Sequence, residues 1–354
     1  MKAASLLSVL CLTLLTTCGE KEAAAVTPGP PLPVASLRAV APFPVGAAVS
    51  ISLLKNNAAY RRVMTTEYSS VTAENAMKFG ALHPGATTYN WTDADYLVSF
   101  ASQNNLRVHG HTLLWYNSLP GWVTTFQGDS AAWENLMRTH IQTVVGHFKG
   151  QVQGWDVVNE AIDDAGGLRT ASLWRQHLGD RYIDRAFAYA HAADPAALLF
   201  YNDYGHEYSE ARRLGILRLV NDLKARGVPI HGIGLQLHTS SNISDARIAT
   251  AITSAAATGL RVHVAELDIS MNPAKAATAT FTAALAAAQK VKYKALAQTY
   301  KALPAAQRYG LTTWNVGDAD SWKRNDCRCP EWPLPFDDTY QRKPAYDGLV
   351  EGLQ

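Results

Sequence analysis

The chain has 354 residues, 47% of them hydrophobic, which is enough to bury a large core. Its 32 basic and 30 acidic side chains leave a formal charge of +2 with no basic run, which excludes the electrostatic footprint of a nucleic-acid binder. A neutral polymer needs no such field in its partner.

Residues 1–22 read as a targeting segment. Lys2 precedes an apolar run from Leu6 to Leu15, too short for a permanent membrane span and typical of a secretory signal. Leu15-Thr16-Thr17-Cys18 resembles a bacterial lipobox, in which the cysteine is lipidated and becomes the mature N-terminus; Thr17 departs from the usual Gly or Ala. The readings, in order, are a lipoprotein held at the cell surface or in the periplasm through Cys18, a secreted protein, and an uncleaved chain that buries Cys18. Residues 23–38, AAAVTPGPPLPVASLR, are rich in Pro, Ala and Gly without periodicity and read as an extended tether. The roughly 315 residues that follow, 39–354, suit one barrel domain with insertions better than two average domains.

Within that domain eight strand-like apolar runs occur: Phe43 to Ser50, Glu67 to Glu74, Arg107 to Trp115, Gln153 to Glu160, Ala197 to Gly205, Gly232 to His238, Arg261 to Ser270 and Gly310 to Asp318. Between them lie segments of helical composition, among them Ala131 to Phe148, Leu173 to Ala193, Glu210 to Arg226 and Ala274 to Ala302. Such alternation predicts an α/β fold, a (β/α)8 TIM barrel in a single catalytic domain, with its chemistry at the carboxyl ends of the strands.

Two of those ends carry acids. In GWDVVNEA the bulky residues Trp155, Val157 and Val158 lead abruptly into Asn159 and Glu160. Apolar walls around such a carboxyl favour its protonated form, which makes Glu160 a candidate general acid, although an NE pair alone can simply open a loop. In RVHVAELDIS, Val262, Val264 and Ala265 lead into Glu266, with Asp268 behind it. Two carboxylates delivered by two strands meet the requirement of glycoside hydrolysis, one to protonate the leaving oxygen and one to attack or to activate water.

WDVVNEA and AELD, in that order, resemble the acid/base and nucleophile strands of glycoside hydrolase family 10, the retaining endo-xylanases. The resemblance runs from about Phe43 to Tyr346 and implies a retaining endo-1,4-β-xylanase with Glu160 as acid/base, Glu266 as nucleophile and carboxyl groups about 5 to 5.5 Å apart. Glu74-Asn75-Ala76-Met77-Lys78 matches the family's ENxMK, implying that Glu74, Asn75 and Lys78 bind glycone hydroxyls. Gly110 to Trp115 matches GHTLxW and implies His111 and Trp115 at the sugar beside the scissile bond. Asn159 is implied at its 2-hydroxyl. Gln236 and His238 share one face of the sixth strand by period two, and the resemblance implies that His238 bonds Glu266 while Asp268 orients its imidazole. Trp314 to Trp322 resembles WGxxDxxSW; each tryptophan can pack in a core or carry a pyranose ring, and the end of strand eight favours the second.

Three departures stand out. Tyr116-Asn117-Ser118 replaces the family's His-Ser-Gln, Phe79 stands where Trp is usual, and Asn315 replaces Gly. They leave the carboxylates untouched and put glycone binding in question. Cys327 and Cys329 are either free or bridged locally, since two thiols alone are too few for a metal site. No metal or organic cofactor is expected. The partner is xylan or xylo-oligosaccharide, not nucleic acid, and the chain is expected to be a monomer. The alternatives are a barrel glycosidase acting on mixed-linkage glucan or cellulose, and a surface carbohydrate-binding lipoprotein that has lost catalysis.

Overall fold

The computed structural model describes Met1 and residues 35–354. The expected signal over residues 1–22, Cys18 included, and the tether up to residue 34 lie outside the described residues, Met1 apart. Eight parallel strands form the barrel: β1 (Val45–Val49), β2 (Ser70–Ala73), β3 (Arg107–Gly110), β4 (Gly154–Asn159), β5 (Leu198–Asp203), β6 (Gly232–Leu235), β7 (Arg261–Ser270) and β8 (Arg308–Thr313). Each pairs with its sequence neighbours, and β8 pairs with both β7 and β1, which closes the sheet. Closure removes every edge, so strands such as β1 and β4 are buried along their whole length, as their near-continuous apolar runs require.

Helices wrap the barrel, among them Thr92–Gln103, Ser130–His147, Tyr182–Ala193, Glu210–Ala225, Asp245–Ala256, Ala283–Lys301 and Pro344–Leu353. Several start where a short polar side chain captures a free amide: Asp129 accepts from Ala132 N, Ser209 from Arg212 N, Ser244 from Arg247 N and Thr282 from Leu285 N. Between strands, Gly110 leaves room for Trp155, since a Cβ there would lie 2.2 Å from the indole.

The structure differs from the sequence-based bounds in definite places. The expected third strand stops at Gly110 and resumes only as Leu114–Trp115; the sixth stops at Leu235 and resumes as His238–Ser240. In the sixth the break falls at Leu237, whose φ of +52° is left-handed. The eighth ends at Thr313. The segment from Leu173 divides into Leu173–Leu178 and Tyr182–Ala193 around Gly179, whose φ is +71°, and the last long helix begins at Ala283 rather than Ala274. The tether reading extends too far at Arg38: Leu37–Val40 is a helical turn with Leu37 fully buried. Glu67 binds this turn to the end of the chain, accepting from Leu37 N at 3.2 Å, Tyr346 Oη at 2.6 Å and Arg342 Nη2 at 2.6 Å. No helix among the described residues is long and apolar enough to cross a membrane.

Candidate active site

The carboxyl ends of the strands open into a cleft of about 550 Å³ lined by Glu74, Asn75, Lys78, His111, Trp115, Asn159, Glu160, Gln236, His238, Glu266, Trp314 and Trp322. Of the site residues expected from sequence only Asp268 is not in its wall; it is fully buried directly behind His238. Tyr116, Tyr204, Tyr208 and Lys323 complete the lining.

Glu160 follows the last residue of β4 in a left-handed conformation, φ +58°. Its Oε2 accepts from Trp115 Nε1 at 2.9 Å, and its Oε1 from Gln236 Nε2 at 3.0 Å and Asn159 Nδ2 at 3.4 Å. Glu266 lies within β7, which runs on to Ser270 and there pairs with His238–Ser240. Its Oε1 accepts from Asn202 Nδ2 at 2.7 Å, and His238 Nε2 lies 3.1 Å from its Oε2. Period two puts Glu266 and Asp268 on one face of β7, so one imidazole reaches both; Nδ1 of His238 is 2.9 Å from Asp268 Oδ2.

Charge holds this trio together. Burial works against a charged His238, but Asp268 and Glu266 outweigh it and raise the imidazole to about 9. Burial likewise works against the Asp268 anion, and His238, Lys323 at 3.1 Å and the indole N–H of Trp322 at 2.8 Å overcome it and lower the carboxyl. Beneath the cleft the fully buried Asp156 is treated the same way. His109 Nε2 at 3.0 Å and His111 Nδ1 at 2.9 Å outweigh its burial and hold it well below the usual carboxylate range. His111 is thereby fixed on the cleft floor.

Elsewhere in the lining burial raises Glu74 and lowers Lys78, whose Nζ bonds Asn75 Oδ1 at 2.9 Å and sits 5.3 Å from the Trp115 ring. Trp314 is largely buried, edge-on to His111 and His238, so it presents little ring surface. Asn315 has φ +93°, a conformation suited to Gly, and its side chain hydrogen-bonds Glu74. Phe79 faces away from the cleft, stacked on His140 at 3.6 Å. Cys327 and Cys329 form a disulfide.

Sequence reasoning missed Asn202. It gives its amide to Glu266 Oε1 and also, at 3.0 Å, to Asn159 Oδ1, which accepts from Gln236 at 3.3 Å as well. The two glutamates are thus joined through Gln236, Asn159 and Asn202. The signal was present: LLFYND is another apolar run ending in polar residues, as at Glu160.

A closed parallel barrel that presents two carboxylates from separate strands in an open cleft has the architecture of a glycoside hydrolase. The chain matches the model of glycosyl hydrolase family 10 over residues 36–352 and belongs to that family. It is 37% identical over 347 residues to endo-1,4-beta-xylanase A of Cellvibrio japonicus, covering 90% of this chain and 56% of that protein. It is also 37% identical over 323 residues to the exoglucanase XynX of Acetivibrio thermocellus, covering 87% of this chain and 28% of that one. The chain therefore spans little more than half, or less, of the length of these relatives. Among solved structures, the xylotetraose complex of the intracellular xylanase TsXylA from Thermoanaerobacterium saccharolyticum superposes with a TM-score of 0.83 at 36% identity, covering 89% of this chain and 98% of that one.

Proposed function

We propose that the protein is a retaining endo-1,4-β-xylanase. The observation that carries this reading is that Glu160 and Glu266, from strands four and seven, face one cleft and are each held by an amide, of Gln236 and of Asn202, that also donates to Asn159 Oδ1. Family membership supports it, as do a relative named as an endo-xylanase and a structural neighbour that binds xylotetraose. In this reading Glu160 protonates the departing glycosidic oxygen while Glu266 attacks the anomeric carbon, forming a covalent glycosyl-enzyme. Glu160 then takes a proton from water, which releases the sugar with retained configuration. Glu74, Asn75 and Lys78 bind the glycone, His111, Trp115, Asn159 and Gln236 surround the reacting ring, and His238 with Asp268 orients the nucleophile. Trp322 closes the wall over that pair. The protein acts as a monomer. Export by residues 1–22 and anchoring at Cys18 belong to the same proposal and rest on the sequence motif.

The test is release of reducing sugar from xylan and from β-glucan by protein starting near Ala35, with Glu266→Ala beside it. Xylan hydrolysis that disappears in the variant is expected. Hydrolysis of glucan alone would replace the substrate, and binding to xylan without hydrolysis of either polymer would make this a binding protein.

A further inference from the structure

We propose that Arg169 is a positioning residue for the acid/base Glu160 and that Tyr116, seated on its guanidinium, holds it in that task. The inference rests on the role proposed above for Glu160.

The left-handed backbone of Glu160 is costly for any residue with a Cβ and persists only where its surroundings over-determine it. Every main-chain polar group from Glu160 to Ile162 is captured. The amides go to the barrel: Glu160 N to Asn202 O at 2.9 Å, Ala161 N to Tyr201 Oη at 3.0 Å, and Ile162 N to Asp203 Oδ2 at 3.3 Å. The carbonyls all go to one residue. Arg169 gives Nε to Glu160 O at 2.9 Å, its own backbone N to Ala161 O at 2.7 Å, and Nη2 to Ile162 O at 3.0 Å. Nη2 also reaches Tyr204 Oη at 3.2 Å, in the cleft wall.

A guanidinium can hold three acceptors in a plane because its fork is rigid, but its long stem must be pinned. Tyr116 does this, with its ring 4.2 Å from Arg169 Cζ. The same ring stands edge-on to Trp115 at 5.9 Å, and Trp115 holds the Glu160 carboxylate through Nε1. Trp115 therefore fixes the carboxylate of Glu160 and Arg169 its main chain, with Tyr116 against both. The Tyr at position 116, one of the departures noted in the sequence, is accounted for by this contact.

A general acid must meet the leaving oxygen within hydrogen-bond geometry, and small misplacements are expensive in rate. Loosening Arg169 should therefore impair protonation of the leaving group and spare attack by Glu266. The experiment compares kcat/KM, which reports the first chemical step, on phenyl β-xylobioside and on 2,4-dinitrophenyl β-xylobioside, whose leaving group needs no proton. Arg169→Met should lose about 100-fold on the phenyl substrate and less than about threefold on the dinitrophenyl one, the loss expected where a general acid is misaligned. Tyr116→Ala should show the same selectivity at about tenfold, and Tyr116→Phe, which keeps the ring, should recover most of it. Equal losses on both substrates, or none, would overturn the positioning role. Glu160→Ala separates the two claims. If it is selective and Arg169→Met is not, the acid/base reading stands and the positioning role falls; if the parent protein cleaves neither substrate, or Glu160→Ala is unselective, both fall. Should Arg169→Met not fold, Tyr116→Ala, at a half-buried position in the cleft lining, decides the question.

Discussion

His238 places Nε2 3.1 Å from Glu266 Oε2 while its other ring nitrogen faces Asp268 at 2.9 Å. Only the doubly protonated ring donates to both carboxylates at once, which is why its titration is tied to the integrity of the site.

That tie makes stability depend on pH with a definite sign. His238 is raised from 6.5 to about 9 in the folded protein, so its contribution is fully present below about pH 6.5 and disappears as pH rises through about 9. Asp268 is lowered, so its contribution is present above its ordinary 3.8 and is lost on acidification. The parent protein should therefore lose Tm between about pH 6.5 and 9.5, by up to roughly 3 kcal/mol of stability from His238. Thermal melts across that range should show a flatter profile for His238→Gln; an equally steep one would show that the imidazole is not the titrating group.

Asn202 gives its amide to Glu266 at 2.7 Å and to Asn159 at 3.0 Å. Asn202→Ala should lower kcat on xylan by about 100-fold, taking as a guide the scale seen when one preorganised donor is removed from an oxyanion hole. Steady-state kinetics would check this, and a change confined to KM would count against it.

Lys78 donates Nζ to Asn75 Oδ1 beside the ring of Trp115 and feels the charge of Glu266 without hydrogen-bonding it. Lys78→Met should raise KM for xylo-oligosaccharides about tenfold and leave kcat within about threefold, the signature of lost uniform binding. A pure kcat effect would instead put this ammonium in the chemistry.

Glu67 is nearly buried and receives Leu37, Tyr346 and Arg342, joining the first turn of the described domain to its last helix. Glu67→Ala should cost about 3 kcal/mol in urea unfolding, since it strips partners from buried donors. Activity of the folded fraction should not change. For the same reason a truncation beginning after Val40 should be less stable than one beginning at Ala35.

The order of barrel strands, the positions of both glutamates and most of the cleft wall were legible in the chain itself. Buried parallel strands are continuous apolar runs, and a polar residue that ends such a run marks the face on which the cleft opens. Glu160 and the ENAMK segment carry that mark and Asn202 carried it unnoticed, whereas Glu266 lies within β7, which runs on to Ser270. What the sequence could not convey are relations between residues far apart along the chain. That Asp156 pins His111, that Asn315 takes a glycine's backbone conformation to reach Glu74, and that Phe79 turns away onto His140 depend on which neighbours the closed barrel brings within bonding distance. Breaks such as the one at Leu237 were equally hidden, because left-handed backbone at a non-glycine residue is imposed by tertiary contacts rather than by local preference. Sequence alone determined the barrel and its pair of acids; the tertiary structure decided how each acid is held, because hydrogen bonds and charge act through space and not along the chain.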